Sequence, residues 1–411
     1  MKYGLIGQKL THSFSKDIHD KIGRYSYEHI ELEPEEVGSF LEGRGFDGLN
    51  VTMPYKQTVI PYLDELSDLA REVGAVNTIL NRNGRLTGYN TDVGGMKILF
   101  KDLGIDPAGK TVLIAGSGGT SRTAERVVSD LGAAEIFRVS RSGRNGAITY
   151  EDAYRDHADA NILINTTPAG MYPDVKGVPF DIERFAHAEG ALDVVYNPLT
   201  PAFVSKARER GVTAVNGLYM LVGQAVLAAE IFTGEEIDRS EVDRIYHELM
   251  SEKRNIVLTG MPCSGKTTLG KLLSDRLGRP LIETDDEIIS KAGMPITEIF
   301  GRYGEKHFRD LESEVIAEAS SGVGKVISTG GGAVLRKENV DALKMNGTVV
   351  FLDRPLEDLM PSDDRPLAND GEKIRKLYET RYPVYTGAAD VTVKVEGTEE
   401  HTADEIWRAL R

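Results

Sequence analysis

The stretch Gly260-Met-Pro-Cys-Ser-Gly-Lys-Thr-Thr268 has the residue types and spacing of a phosphate cradle. It matches G-x-x-x-x-G-K-T, in which glycines let backbone N–H groups turn inward on phosphate oxygens. Gly260, Ser264, Gly265, Lys266, Thr267 and Thr268 are therefore nucleotide-binding candidates. The lysine of such a loop reaches the β- and γ-phosphates, and the first threonine places its hydroxyl on Mg²⁺, so the expected ligands are ATP and Mg²⁺. A second glycine loop, Gly116-Ser-Gly-Gly-Thr120, offers Gly116, Gly118 and Gly119 to a dinucleotide pyrophosphate. An NAD site carries an acidic residue after the next strand; this chain has Ser140-Arg-Ser-Gly-Arg144 there. Arg141 and Arg144 attract a 2′-phosphate, which predicts NADP(H) over NAD. Cys263, inside the first loop, has two readings: a small residue that fits, or a thiol activated by Lys266 and a helix N-terminus.

Both loops need a strand before them and a helix after. The run Asn255–Thr259 and the amphipathic segment Leu269–Leu277 supply these for the first loop. Lys110–Ala115 and a helix over 121–131 supply them for the second, with a further strand at Glu135–Val139. Upstream, Tyr3–Gly7 reads as a buried strand, with a helix opening near Ile18. Three segments, 48–56, 74–78 and 88–92, end short apolar strands with hydroxyl, amide or charged groups, where open α/β sheets bind ligands. A charged helix from Glu235 to about Arg254 runs almost directly into the strand before Gly260, leaving no flexible tether.

A phosphate loop normally sits on the first strand of its domain, yet some 250 residues precede this one, so a complete unit comes first. The 411 residues suit two or three domains. A formal net charge of −15 speaks against nucleic acid as the main partner. No apolar run approaches the ~20 residues of a membrane span, and the N-terminus has no targeting pattern. The lone cysteine excludes internal disulfides and cysteine-built metal sites. A cytoplasmic location is the expectation, with monomer and homodimer both open.

Four motifs in the first hundred residues resemble the shikimate dehydrogenase family. They are Gly4-Leu-Ile-Gly…His12-Ser-Phe-Ser15, Asn50-Val-Thr-Met-Pro-Tyr-Lys56, Gly74-Ala-Val-Asn-Thr78 and Asn90-Thr-Asp-Val-Gly-Gly95. The resemblance implies that Ser13, Ser15, Thr52 and Asn77 hold the substrate carboxylate and ring hydroxyls, with Lys56 and Asp92 flanking the reacting hydroxyl. Lys56 is read either as proton donor to the oxyanion or as an electrostatic clamp. Further motifs at 165–171, 193–198 and 216–224 extend the resemblance to about residue 250. They imply Tyr196 and Gln224 on substrate, and Gly217 and Met220 against the nicotinamide. Lys16, Thr120 and Ser140 stand where the family usually has Pro, Ala and Asn.

Residues 255–411 are similar to shikimate kinase through Leu281-Ile-Glu-Thr-Asp285, Phe308-Arg-Asp-Leu-Glu312, Thr329-Gly-Gly-Gly332, Arg365-Pro-Leu367 and the segment 377–385. The resemblance implies that Asp285 binds substrate hydroxyls and takes or positions the proton, while Arg309 and Arg381 grip the carboxylate. It further implies that Gly330, Gly331 and Gly332 approach the ring, and that Arg365 rides on a lid. Glu283, with Thr267, is the metal candidate, replacing the usual Asp, and the lid over 355–365 is shorter than usual.

The expected fold is α/β throughout. A three-layer substrate lobe (1–100 and 216–253) and a Rossmann NADP-binding lobe (101–215) make up residues 1–253. A P-loop kinase domain with a parallel sheet makes up residues 254–411. The expected function is NADPH-dependent reduction of 3-dehydroshikimate to shikimate, then ATP-dependent phosphorylation of shikimate. The alternatives are an enzyme with one decayed half, with Glu283 marking the kinase as candidate, and a non-catalytic sensor of shikimate-type metabolites. A quinate preference is disfavoured by Ser13, Ser15 and Arg141.

Overall fold

A computed structural model of the chain describes residues 2–11, 13–102, 104–359 and 370–410. It divides into two compact units, Met1–Leu249 and Met250–Arg411. The expected helix from Glu235 begins later, at Ser240, and runs to Lys253. The reason is local. Gly234 ends the preceding helix Leu218–Thr233 in the left-handed region, and Asp238 caps the new one, its Oδ1 accepting from Ser240 N at 2.8 Å.

The first unit contains two sheets. One is six-stranded, built from β1 (Tyr3–Gly7), β2 (Tyr27–Glu31), β3 (Gly48–Val51), β4 (Glu65–Leu66), β5 (Thr78–Arg82) and β6 (Arg85–Tyr89) in the order β2-β1-β3-β5-β6-β4. β2, β1 and β3 are mutually parallel; β5 runs antiparallel to β3 and turns into β6 as a hairpin. The helices Asp92–Asp102 and Leu218–Thr233 pack together tightly enough that a Cβ on Gly95 would stand 2.6 Å from the Met220 carbonyl oxygen and 2.8 Å from Gln224 N. The second sheet takes β7 (Thr111–Ala115), β8 (Glu135–Val139), β9 (Ile162–Asn165), β10 (Gly190–Asp193) and β11 (Thr213–Val215) in the order β11-β10-β9-β7-β8, all parallel. From β7 the chain moves to one side, to β8, then to the other, to β9. The crevice at the end of β7 is where such sheets receive ligands.

The second unit is organised on the same logic. β12 (Asn255–Thr259), β13 (Leu281–Glu283), β14 (Val326–Ser328), β15 (Gly347–Asp353) and β16 (Val391–Lys394) form a parallel sheet ordered β13-β14-β12-β15-β16. β12 is central, buried on both faces, and read from sequence as the apolar run Ile256-Val-Leu258. Its neighbours come later in the chain on each side, so its C-terminal end is again a switch point. Among the described residues no helix is long and apolar enough to cross a membrane.

Candidate active sites

In the first unit, the ends of β3, β5 and β6 bring polar side chains from three loops together. Lys56 Nζ donates to Asp92 Oδ2 at 2.7 Å, and the pair is 18% and 8% exposed, shielded enough for its charges to be felt. Asn77 Nδ2 donates to Asp92 Oδ1 and to Thr91 Oγ1, each at 2.9 Å, and reaches Gln224 Oε1 at 3.3 Å. Asn77 Oδ1 in return accepts from Thr91 N at 2.7 Å. Below this layer, Tyr27 donates to Asn50 Oδ1 at 2.8 Å, and Asn50 Nδ2 donates to Thr78 Oγ1 at 3.1 Å. Asp92 opens its helix, so its carboxylate also stands at the positive end of the helix dipole. An ammonium held this way can protonate an oxyanion, and the amides around it can discriminate hydroxyl groups.

A second knot gathers Ser13, Ser15 and Tyr196. Ser13 Oγ donates to Ser15 Oγ at 3.2 Å, and the Tyr196 ring lies 5.3 Å from that of Phe14 between them. Burial pushes the Tyr196 phenol up, opposed by its hydrogen bond with Ser13, so it stays a neutral hydroxyl. Thr52 continues β3, its N–H donating to the Ile6 carbonyl oxygen at 3.0 Å. Gly217 lies so close to the Val194 carbonyl that any side chain would overlap it, and Met220 is buried in the helix that follows.

The helix after β7 begins at Gly119, with Gly118 extended and open space where a Cβ would be. Gly116 has φ 127° and sits against Thr166, whose hydroxyl donates to the Ala115 carbonyl at 2.6 Å. Arg141 and Arg144 are exposed on the loop after β8. Ser140 Oγ shapes that loop by accepting from Gly143 N at 3.2 Å.

In the second unit, Lys266 is buried and curls back on its own loop, donating to the carbonyls of Gly260 at 3.0 Å and Met261 at 2.8 Å. Thr267 Oγ1 donates to Glu283 Oε2 at 3.3 Å, while Glu283 Oε1 is shielded and has no hydrogen-bond partner. Beside them a cavity of about 450 Å³ is lined by Asp285, Arg309, Glu312, Gly330–Gly332 and Arg381, with Ile289, Ile296 and Phe300 as an apolar wall. Arg309 Nη1 donates to Glu312 Oε2 at 2.6 Å, and its guanidinium lies directly on Gly332, where a methyl group would overlap it. Arg381 Nη1 donates to the Gly331 carbonyl at 3.0 Å, and the Tyr385 hydroxyl donates to the same oxygen. A Cβ on Gly330 would be 2.7 Å from Asp285 Oδ1. Burial pushes the Glu312 carboxyl up, countered by Arg309 and Arg381. Arg365, and with it most of the short lid, lies outside the described residues.

Among the polar residues of these sites, Thr91 and Glu312 were not singled out from sequence. Thr91 bridges Asn77 and, at 3.4 Å, Gln224; it was visible inside Asn90-Thr-Asp92. Glu312 closes Phe308-Arg-Asp-Leu-Glu312, and its spacing of three from Arg309 puts the two on one helix face.

A family model described as the shikimate dehydrogenase substrate binding domain matches residues 5–79, and one for the shikimate 5′-dehydrogenase C-terminal domain matches 217–244. The shikimate kinase model matches residues 262–411. Shikimate dehydrogenase (NADP(+)) of Clostridium perfringens is 37% identical over 264 residues, 60% of this chain and 97% of that protein. The crystal structure of shikimate dehydrogenase 1 from Peptoclostridium difficile is 36% identical, with TM-score 0.57, over 60% of this chain and 97% of that one. The Thermus thermophilus enzyme in complex with NADP(H) and shikimate is 30% identical, with TM-score 0.55, over 60% of this chain and 99% of that one.

Proposed function

We propose a role for each side chain from one premise: the chain belongs to the shikimate dehydrogenase family and carries a shikimate kinase domain after it. It is a bifunctional enzyme of the shikimate pathway, reducing 3-dehydroshikimate to shikimate with NADPH and then phosphorylating shikimate with ATP. In the first site Lys56 protonates the oxygen of the ketone as it is reduced, and Asp92 holds the ammonium in place and accepts from a neighbouring ring hydroxyl. Asn77, Gln224 and Thr52 bind ring hydroxyls. Ser13, Ser15 and Tyr196 bind the carboxylate as neutral donors.

NADPH supplies the hydride when bound. Gly116, Gly118 and Gly119 fit its pyrophosphate, since the open face at Gly118 lies at a helix N-terminus. Arg141 and Arg144 receive the 2′-phosphate, and Gly217 and Met220 back the nicotinamide.

In the second site Arg309 and Arg381 take the shikimate carboxylate, and Gly330–Gly332 let the ring approach. Asp285 accepts the proton of the attacking hydroxyl. Lys266 exchanges the Gly260 and Met261 carbonyls for phosphate oxygens, while Ser264, Gly265 and Thr268 wrap the triphosphate. Mg²⁺ offsets phosphate charge when bound; Thr267 and Glu283 would hold it, and the unpartnered Glu283 Oε1 fits that use. Arg365 adds charge from the lid. A cytoplasmic location suits an enzyme that draws on both NADPH and ATP.

The observation that carries this reading is that each unit gathers reactive charged groups of its own, Lys56 paired with Asp92 in the first and Lys266 and Asp285 lining one cavity in the second. A sensor would need only the binding groups, and a decayed half would have lost part of a set. The test is a pair of assays, NADPH loss with 3-dehydroshikimate and ADP formation with shikimate, on wild type, Lys56→Ala and Lys266→Ala. Each substitution is expected to remove about 10²–10⁴ of its own activity and none of the other. Wild-type protein that performs neither reaction, or losses that always come together, would refute the assignment.

A further inference from the structure

Arg354 directly follows β15, the strand beside the one that leads into the phosphate loop. Its side chain is half-buried, and Nη1 lies 3.8 Å from where a Cβ on Gly265 would sit, so the guanidinium rests against the loop's backbone. Among the described residues Arg354 makes no hydrogen bond and no ion pair. That sets it apart from its neighbours. Arg309 is matched by Glu312, Arg381 by the Gly331 carbonyl and Arg336 by Asp310. A half-buried guanidinium that faces two cavities and has no acceptor among the described residues is free to donate to an anionic ligand.

Its surroundings say which anion. Arg354 lines the cavity of about 310 Å³ over Lys266 and Thr268, and also an adjoining one of about 420 Å³ bounded by Leu269, Val395, Gly397 and Thr398. It therefore stands between the phosphate cradle and a pocket large enough for a nucleoside. The carboxylates that share these cavities, Glu283, Asp285, Asp358, Glu396 and Glu399, leave Lys266 and Arg354 as the only lysine and arginine lining either of them among the described residues.

We propose that Arg354 is a nucleotide-binding residue that donates to the α- and β-phosphates, at the nucleoside end of the loop, while Lys266 serves the β- and γ-phosphates. This rests on the kinase reading. It makes Arg354 a second fixed cation on the phosphates that ADP and ATP share, supplied by the sheet rather than by the lid.

The test is calorimetric ADP binding to the full chain, as wild type, Arg354→Gln and Arg354→Lys, with adenosine as a phosphate-free probe followed by NMR. Losing a charge-assisted contact is expected to weaken ADP about tenfold to a hundredfold in Arg354→Gln. Arg354→Lys recovers part of that, and adenosine binds all three proteins alike. Unchanged dehydrogenase turnover and an unchanged melting curve keep the result from being one of folding. ADP binding equal to wild type in Arg354→Gln overturns the proposal, and so does an equal loss for adenosine, which would put the guanidinium on the base. If wild-type protein takes up no ADP, the kinase reading fails and the proposal with it.

Discussion

In the first unit the reactive groups are fastened to one another, whereas in the second they are fastened mainly to backbone. Lys56, Asp92, Asn77, Thr91 and Gln224 form one continuous chain of side-chain contacts. Lys266 and Arg381 instead hold carbonyls of Gly260, Met261 and Gly331, and Arg309 is held by a carboxylate, Glu312. The difference follows from the two tasks. A hydride acceptor needs its donors aligned before it arrives, and a satisfied polar network gives that rigidity. A triphosphate brings its own charge, so a lysine parked on neutral carbonyls can change acceptors at little cost, leaving those oxygens to other donors. The first site should thus be damaged by unbalancing a network, and the second by obstructing its backbone.

Glycines at close approaches give the largest contrast. Gly332→Ala places a methyl group on the Arg309 guanidinium, at the end of a side chain that can swing away. The second unit should keep its backbone in place, the buried Glu312 carboxyl taking up a proton as Arg309 withdraws. Shikimate affinity at the kinase should fall about a hundredfold through loss of a charged hydrogen-bonding partner, measured as KM for shikimate. Gly95→Ala puts its methyl group 2.6 Å from the Met220 carbonyl and 2.8 Å from Gln224 N, which are backbone and cannot yield. Here the two helices must separate, with a stability loss of ~1–3 kcal/mol and a displaced Gln224. If Gly332→Ala lowers the melting temperature as much as Gly95→Ala does, the contrast between the units is wrong.

How much of this could be read beforehand depends on distance along the chain. The phosphate loop was legible because Asn255–Thr259, Gly260, Gly265 and Lys266 are contiguous, and strand, turn and helix follow from local preference. Arg309 with Glu312, and Thr91 beside Asp92, were present as short-range patterns whose partners only the fold identifies. The apolar wall of Ile289, Ile296 and Phe300 was not legible, because it joins two helices around a bend. The turn between them falls at Gly293, φ 67°, which ends the first helix, and which side chains meet across it is decided by the fold alone. Arg354 was hidden for the opposite reason: a strand-end arginine is ordinary until the acceptors around it are counted.

The buried acids sharpen the same comparison at intermediate size. Glu312 has Arg309 beside it, but Asp193, at the end of β10, has only Asn165 Nδ2 at 2.8 Å and Val195 N at 2.9 Å, both on Oδ1. Its Oδ2 is buried without a partner, and burial pushes its carboxyl from 3.8 up to about 7. A folded-state pKa raised above the unfolded value means the folded protein holds the proton more tightly. The stability from this group is complete below pH 3.8, declines as pH rises, and is lost once pH passes about 7. Asp193→Asn removes that dependence. The difference in stability between variant and wild type should move in the variant's favour by ~2–4 kcal/mol from pH 4 to pH 8. It is to be followed in the calorimetric transition that NADP⁺ shifts. A constant difference across that range would mean that Asp193 is ionised throughout.

The smallest effect belongs to Cys263, the one residue of the phosphate loop that carries a side chain in the left-handed region, at φ 65°. A Cβ there costs ~1–2 kcal/mol, which glycine would not incur. Glycine also loosens the unfolded chain by ~0.4–1 kcal/mol, so the two terms largely offset one another. Cys263→Gly is therefore expected to stabilise the second unit by roughly 0 to 1.6 kcal/mol, with Cys263→Ala unchanged because it keeps the strain. The lone tryptophan, Trp407, lies in the second unit and reports its unfolding by fluorescence without interference from the first. Kinase turnover separates the two readings of the thiol. If sulfur only fills space, Cys263→Ala and Cys263→Gly both turn over as wild type does, and alkylation blocks the site solely by bulk. A loss in both variants with unaltered Trp407 unfolding would instead put the thiol in contact with the phosphates, and the loop would then depend on a side chain as well as its backbone.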